Sequence, residues 1–115
     1  MINIAAEKNF ENKIKKFLDD QGCWYVKYFA NRMTKSGIPD ILACVNGYFV
    51  AIEVKATNGR PSELQYYHRE KIRESNGISI ILYPNQFEDF KKFIIKLNMN
   101  KVCNDFLTQI HFDKE

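Results

Sequence analysis

No stretch of this 115-residue chain approaches the ~18 consecutive apolar residues that a membrane-spanning helix needs. Met1 to Phe10 also lacks the apolar run of a secretory leader. The expected location is therefore cytoplasmic, with no membrane partner. Cysteine is sparse: Cys23, Cys44 and Cys103 form an odd set without a C-x-x-C spacing, and each reads as a small buried hydrophobe in a reducing compartment. His68 and His111 are the only histidines, far from any cysteine or second histidine. That excludes H-E-x-x-H and related zinc spacings, and both read as surface residues. Neither G-x-x-x-x-G-K-[ST] nor G-x-G-x-x-G occurs, so no nucleotide cofactor and no ATP-driven motor is encoded. Internal repeats and low-complexity linkers are missing as well, and no domain boundary is expected.

What remains is an ordinary globular composition, 45% apolar and 27% charged, long enough for one core and too short for two. Residues 1–115 are read as one domain. A net charge of +3 tolerates a polyanionic partner without demanding one.

The periodicities alternate between helix and strand. Phe10, Ile14, Phe17 and Leu18 have helical spacing, and Gly22 supplies a stop. Cys23 to Ala30 is rich in aromatic and β-branched residues and reads as a strand. Ile41 to Val45 and Tyr48 to Lys55 follow as two more, joined by Asn46-Gly47. Ser62-Glu63-Leu64-Gln65 is a capping box that opens a second helix running to about Asn76. Ile78 to Tyr83 is a fourth strand. Asn85 to Glu88 repeats the capping-box pattern ahead of a third helix carrying Phe87, Phe90, Ile94 and Leu97. The order is α-β-β-β-α-β-α. Beyond Asn98, the residues Val102, Phe106, Leu107 and Ile110 suggest one more short packed element.

The hairpin carries the chemistry. Asn-Gly between β-branched runs favours a two-residue type I′ turn, because both central residues need positive φ. In that register Val45 faces Tyr48, and Asp40 falls opposite Glu53. Opposed side chains share a face with Cβ atoms about 4.5–5.5 Å apart, and alternation brings Lys55 to the same side. Ile41, Ala43, Val50, Ile52 and Val54 point the other way, into the core. Two carboxylates so placed repel by roughly 3 kcal/mol at about 5 Å and an effective dielectric near 20. A divalent cation removes that objection: Mg²⁺ prefers oxygen ligands and is commonly held by one or two carboxylates, with waters and substrate phosphate oxygens completing its shell. Such a pair with a lysine beside it can hold the metal, activate water and meet a phosphate. The plainer alternative is an exposed hairpin end whose charges are structural.

Gly37-Ile38-Pro39-Asp40 with Glu53-Val54-Lys55 resembles the signature of the PD-(D/E)XK nucleases. The wider pattern, with Gly59-Arg60-Pro61-Ser62, Gln65 and Gly77 ahead of an apolar strand, is similar to the VRR-Nuc branch, which includes small proteins like Holliday junction resolvases. The likeness runs from about Glu11 to Tyr83. It implies an α/β restriction-endonuclease-like fold, an αβββαβ core with a mixed central sheet flanked by helices. It also implies Mg²⁺ or Mn²⁺ as cofactor, Asp40 and Glu53 as metal ligands, the Val54 carbonyl as a further ligand, and Lys55 as the group that orients the attacking water.

Two more residues match the family pattern while keeping a structural alternative. Glu11 corresponds to a first-helix glutamate near the metal, or is a solvated first-turn acid favoured by the helix dipole; Glu7 is the reserve position one turn earlier. Gln65 belongs either to the site or to the capping box. Lys27, alone among aromatics, either reaches a phosphate or guards an edge strand. Arg32, Lys35, Ser36 and Arg60 flank the carboxylates and are expected to contact DNA phosphates without reading sequence. The expected function is a metal-dependent endodeoxyribonuclease acting on branched DNA as a homodimer, because a symmetric double cut needs two sites. The alternatives are a nuclease for flap, nicked or linear DNA working with a partner, and a catalytically silent DNA-binding module of the same fold.

Overall fold

A computed structural model of the chain describes residues 4–29 and 36–99. The expectations for Arg32, Lys35, Cys103, His111 and the element after Asn98 lie outside the described residues. The elements are α1 (Ile4–Asp20), β1 (Trp24–Lys27), β2 (Ile41–Val45), β3 (Tyr48–Val54), α2 (Glu63–Glu74), β4 (Ile78–Leu82), a 3₁₀ turn (Pro84–Gln86) and α3 (Phe87–Met99). The four strands form one sheet in the order β1-β2-β3-β4. β1, β2 and β3 run antiparallel in sequence, and β4 returns parallel to β3 through the α2 crossover. This is the mixed α/β architecture expected of a PD-(D/E)XK core.

Packing follows the period-2 alternation of the strands. Ile41, Ala43, Val45, Val50, Ile52, Val54 and Leu82 join Phe10, Ile14 and Leu18 of α1 and Phe90 and Ile94 of α3 in a single apolar cluster. Phe17 and Phe87 pack against it, with edge-on and stacked ring contacts to each other and to Phe90. No α2 residue is buried; the helix packs against β4. Ala51 and Ser79, which alternation turns away from the α1–α3 layer, are nevertheless buried. The centre of the sheet is thus covered on both sides while β1 is not: Trp24 and Val26 remain exposed. No helix among the described residues is long and apolar enough to cross a membrane.

The turn chemistry is as the sequence requires. Asn46 and Gly47 take φ of 50° and 85°, and Val45 pairs with Tyr48. Ser62 caps α2 by accepting from Gln65 N at 3.2 Å, while Gln65 Oε1 accepts from Ser62 N at 2.9 Å. Gly37, at φ +79°, lies so close to α2 that a Cβ there would stand 2.7 Å from Leu64.

Four local expectations need correction. α1 begins at Ile4 rather than near Phe10, since residues 4–9 include good helix formers and extend the helix without being buried in the core. β1 starts at Trp24 and its pairing ends at Lys27. Asn85 does not cap α3: it lies inside the 3₁₀ turn, and Gln86 Oε1 accepts from Tyr83 N instead. Cys44 is exposed and Cys23 only partly buried, because Cys44 pairs with Trp24 on the face that no helix covers there.

Candidate active site

The hairpin places its acids at the end of the sheet. With Ile41 paired to Ile52, the next step outward sets Asp40 against Glu53. Asp40 is tied in from both sides: its carbonyl accepts from Tyr28 N at 2.8 Å, and its Oδ2 accepts from Val54 N at 2.8 Å. Its other carboxylate oxygen, Oδ1, lies 3.2 Å from Lys27 Nζ.

Lys27 is paired with Ile41, so its side chain leaves the sheet on the α1 side. A partly buried ammonium there requires acceptors, and it finds two: Asp40 and, at 2.6 Å, Glu11 Oε1. Glu11 is buried to 5% exposure and also receives Lys15 at 2.9 Å and Lys8 at 3.4 Å. Burial alone would raise its pKa, but the ammonium groups of Lys27 and Lys15 prevail and hold the carboxyl down at about 2. Glu11 is therefore an interior anion clamped by lysines, not a solvated acid.

Glu53 is the opposite case. It is 4% exposed, and its Oε1 is buried without a hydrogen-bond partner. Its Oε2 has Lys55 Nζ at 3.8 Å. Burial first, then the neighbouring Asp40 carboxyl, pushes Glu53 up to about 9; Glu7 adds to the rise and Lys55 opposes it. A buried acceptor next to a second carboxylate is destabilised unless a proton or a cation arrives.

That orphaned oxygen tests whether the residues suit a metal. Among the described residues no cluster of three or more His, Cys, Asp or Glu side chains has metal-binding geometry. Two carboxylates with the adjoining Val54 carbonyl are nonetheless a sufficient protein share for Mg²⁺, which keeps several waters. The donor set is all hard oxygen and fits.

The structure thus brings together Glu11, Lys27, Asp40, Glu53 and Lys55, five of the side chains singled out in the sequence, with Glu7 near Glu53. Gln65 performs its capping role, its amide oxygen engaged by Ser62. Ser36 and Arg60 are exposed in the flanking loops. Lys15 was missed, although its position four residues after Glu11 on one helix face was a legible signal.

A sheet-end cluster of this kind on a mixed α/β core is the arrangement expected of the PD-(D/E)XK class. A family model described as archaeal Holliday junction resolvase (Hjc) matches residues 4–102. The chain belongs to that family, which lies within the PD-(D/E)XK superfamily and implies a Holliday junction resolvase-like nuclease. No curated protein and no solved structure gives a significant match.

Proposed function

We propose that this protein is a divalent-metal-dependent endonuclease that cuts branched DNA, a Holliday junction first of all. The observation that carries this reading is the buried, unpartnered Oε1 of Glu53 beside Asp40, with Lys55 Nζ 3.8 Å from the same carboxylate. In a domain built for stability alone such an oxygen would be paired or replaced. In a phosphodiesterase it is an oxygen that a metal ion would take as a ligand.

Asp40, Glu53 and the Val54 carbonyl would hold Mg²⁺ or Mn²⁺. When bound, the metal supplies Lewis-acid polarisation of the phosphate and lowers the pKa of a ligated water. The chain's own groups do the rest. The Val54 amide fixes the Asp40 carboxylate, so that little reorganisation accompanies substrate binding. Lys55 orients the attacking water and meets charge developing on the phosphoryl oxygens. Glu11 and Lys27 keep Asp40 in place electrostatically, and Lys27 lies within the cluster, where it would face the scissile phosphate. Gln65 could contribute only through its amide nitrogen, since its oxygen is engaged. Ser36, Arg60, Arg32 and Lys35 would contact flanking phosphates and set the position of the duplex arms without reading sequence. The narrower VRR-Nuc placement rests on the spacing from Gly37 to Gly77.

Cutting two opposed strands of a junction requires two active sites, and this domain carries one. A homodimer follows, to be checked by sedimentation with and without junction DNA.

The primary experiment is cleavage of labelled four-way junction, flap, single-stranded and linear duplex DNA with Mg²⁺, Mn²⁺ or EDTA. Wild type is expected to cut the junction best and only with metal. Asp40→Asn and Glu53→Gln are expected to bind it but not cut. Equal cutting of all substrates would replace the resolvase with a general nuclease. Binding without cutting under either metal would leave a silent binding module.

A further inference from the structure

Beyond the carboxylate cluster, the same end of the sheet carries a second feature. Val54 is paired with Leu82, and Lys55 N donates to Leu82 O at 3.0 Å, so Lys55 and Tyr83 leave neighbouring parallel strands side by side. Between them the 56–61 loop borders a cavity of about 670 Å³, within the range of small-molecule sites, about 300–1,000 Å³. Its walls include Asn58, Gly59, Arg60, Pro61, Tyr66 and Tyr83, and none of the lining residues is acidic.

The loop is fixed from two directions. Gly59 N donates to Ala56 O at 2.8 Å, and Tyr83 Oη donates to Gly59 O at 2.9 Å. Tyr66 is set by the Arg69 guanidinium, 5.0 Å from its ring centroid, and is still 42% exposed. Arg60 is exposed and has no ion-pair partner among the described residues. Gly59 is a wall common to cavity and active site: a Cβ there would stand 3.3 Å from Lys55 Cδ.

Two tyrosines, an uncommitted guanidinium and no carboxylate suit a nucleotide. Aromatic rings stack on any base, and arginine meets phosphate. We propose that this cavity receives one nucleotide of the strand being cut, adjacent to the scissile phosphate, with its base against Tyr66 and its phosphate on Arg60. The proposal rests on the nuclease reading and adds the place where the strand leaves the duplex stack. It also gives a physical reason for preferring branched DNA. An unpaired or strained base at a branch point enters more easily than one that must first be unpaired.

The test uses full-length Asp40→Asn protein with Ca²⁺ and four-way junctions carrying 2-aminopurine at each position within three nucleotides of the cut mapped with wild type. A base drawn from its stack is expected to change fluorescence at one position next to the cut. Adding Tyr66→Leu should abolish the change and weaken junction binding roughly tenfold, whereas Tyr67→Leu, outside the cavity, should preserve both. Tyr66 is on the surface, so thermal melts should show the variant folded. If wild type cuts but no position responds in a Tyr66-dependent way, the nucleotide site is overturned and the nuclease reading stands. If wild type neither cuts nor binds the junction, the nuclease reading itself fails, and this proposal with it.

Discussion

Asp40 Oδ2 accepts a 2.8 Å hydrogen bond from the backbone N–H of Val54 on the opposing strand. The bond lies just past the last β2–β3 pair, Ile41 with Ile52, and fixes the aspartate relative to Glu53 and Lys55 on either side of Val54. One carboxylate oxygen is thus spent on geometry, and the other faces Lys27 at 3.2 Å.

Removing that acceptor has a structural cost separable from chemistry. Asp40→Asn keeps an oxygen for Val54 N and is expected to stay within about 1 kcal/mol of wild type, whereas Asp40→Ala leaves the donor unpaired and should cost about 1–3 kcal/mol. Urea denaturation in EDTA checks the difference. Equal stability of the two variants would show that the bond does not anchor Asp40.

Glu53 makes the metal-free protein pH-sensitive. Its folded pKa, about 9, lies above its ordinary value of 4.5, so the folded state retains a proton that the unfolded chain releases. Its contribution is fully present below about 4.5 and is lost as pH rises towards about 9. In EDTA, Glu53→Gln should therefore melt higher than wild type at pH 8, by about 4–8 °C for each kcal/mol relieved, with the gap closing near pH 4.5. Mg²⁺ or Mn²⁺ should raise the wild-type melting temperature more than that of the variant. An unchanged wild type with metal would mean the hairpin charges are structural only.

Glu11 behaves in the reverse sense. Its folded pKa of about 2 is depressed, so its pairing stabilises the fold above about pH 4.5, and that stability is lost as pH falls through about 2. Lys27→Met removes the closest partner and should cost about 1–3 kcal/mol at pH 7, with a deficit that shrinks on acidification. Lys27→Arg should recover part of it. Guanidinium midpoints at pH 7 and pH 3 measure both. A pH-independent deficit would point to lost packing rather than lost pairing.

Two of the positive-φ glycines, Gly37 and Gly22, separate conformational from steric cost. Both need φ near +70° to +80°, but a Cβ at Gly37 would meet Leu64 at 2.7 Å, while one at Gly22 meets nothing within 4 Å. Gly22→Ala is expected to lose about 1–2 kcal/mol for the left-handed conformation. Gly37→Ala should lose that and a further 1–3 kcal/mol, roughly, for the clash. Because Gly37 leads into Asp40, its variant should also slow cleavage, whereas Gly22→Ala should not.

Local rules were enough for much of this molecule. Asn46-Gly47 demands positive φ at two successive residues, which selects one turn and one register. Asp40 against Glu53, with Lys55 beyond, follows by counting. Ser62 and Gln65 start α2 for an equally local reason, because each satisfies the other's backbone N–H. The apolar stripes of α1 and α3 show which faces are buried. None of this requires knowing where distant segments meet.

Other features depend on such meetings and had no local signature. Lys27 reads equally as an edge-strand lysine or a phosphate contact until its pairing with Ile41 turns it towards Glu11, sixteen residues away in sequence. Cys44 looks like a core residue, and only the placement of the helices leaves its face of β1 and β2 open. The cavity beside Lys55 joins Arg60, Tyr66 and Tyr83 because β4 returns parallel to β3, a crossover that sets their ends side by side. The hairpin, its register and the pair of carboxylates were legible from residues alone, since those depend on backbone conformation over a few residues. The charge states of Glu53 and Glu11 came only with packing between elements, which buries both and brings Glu7 towards the one and Lys27 against the other.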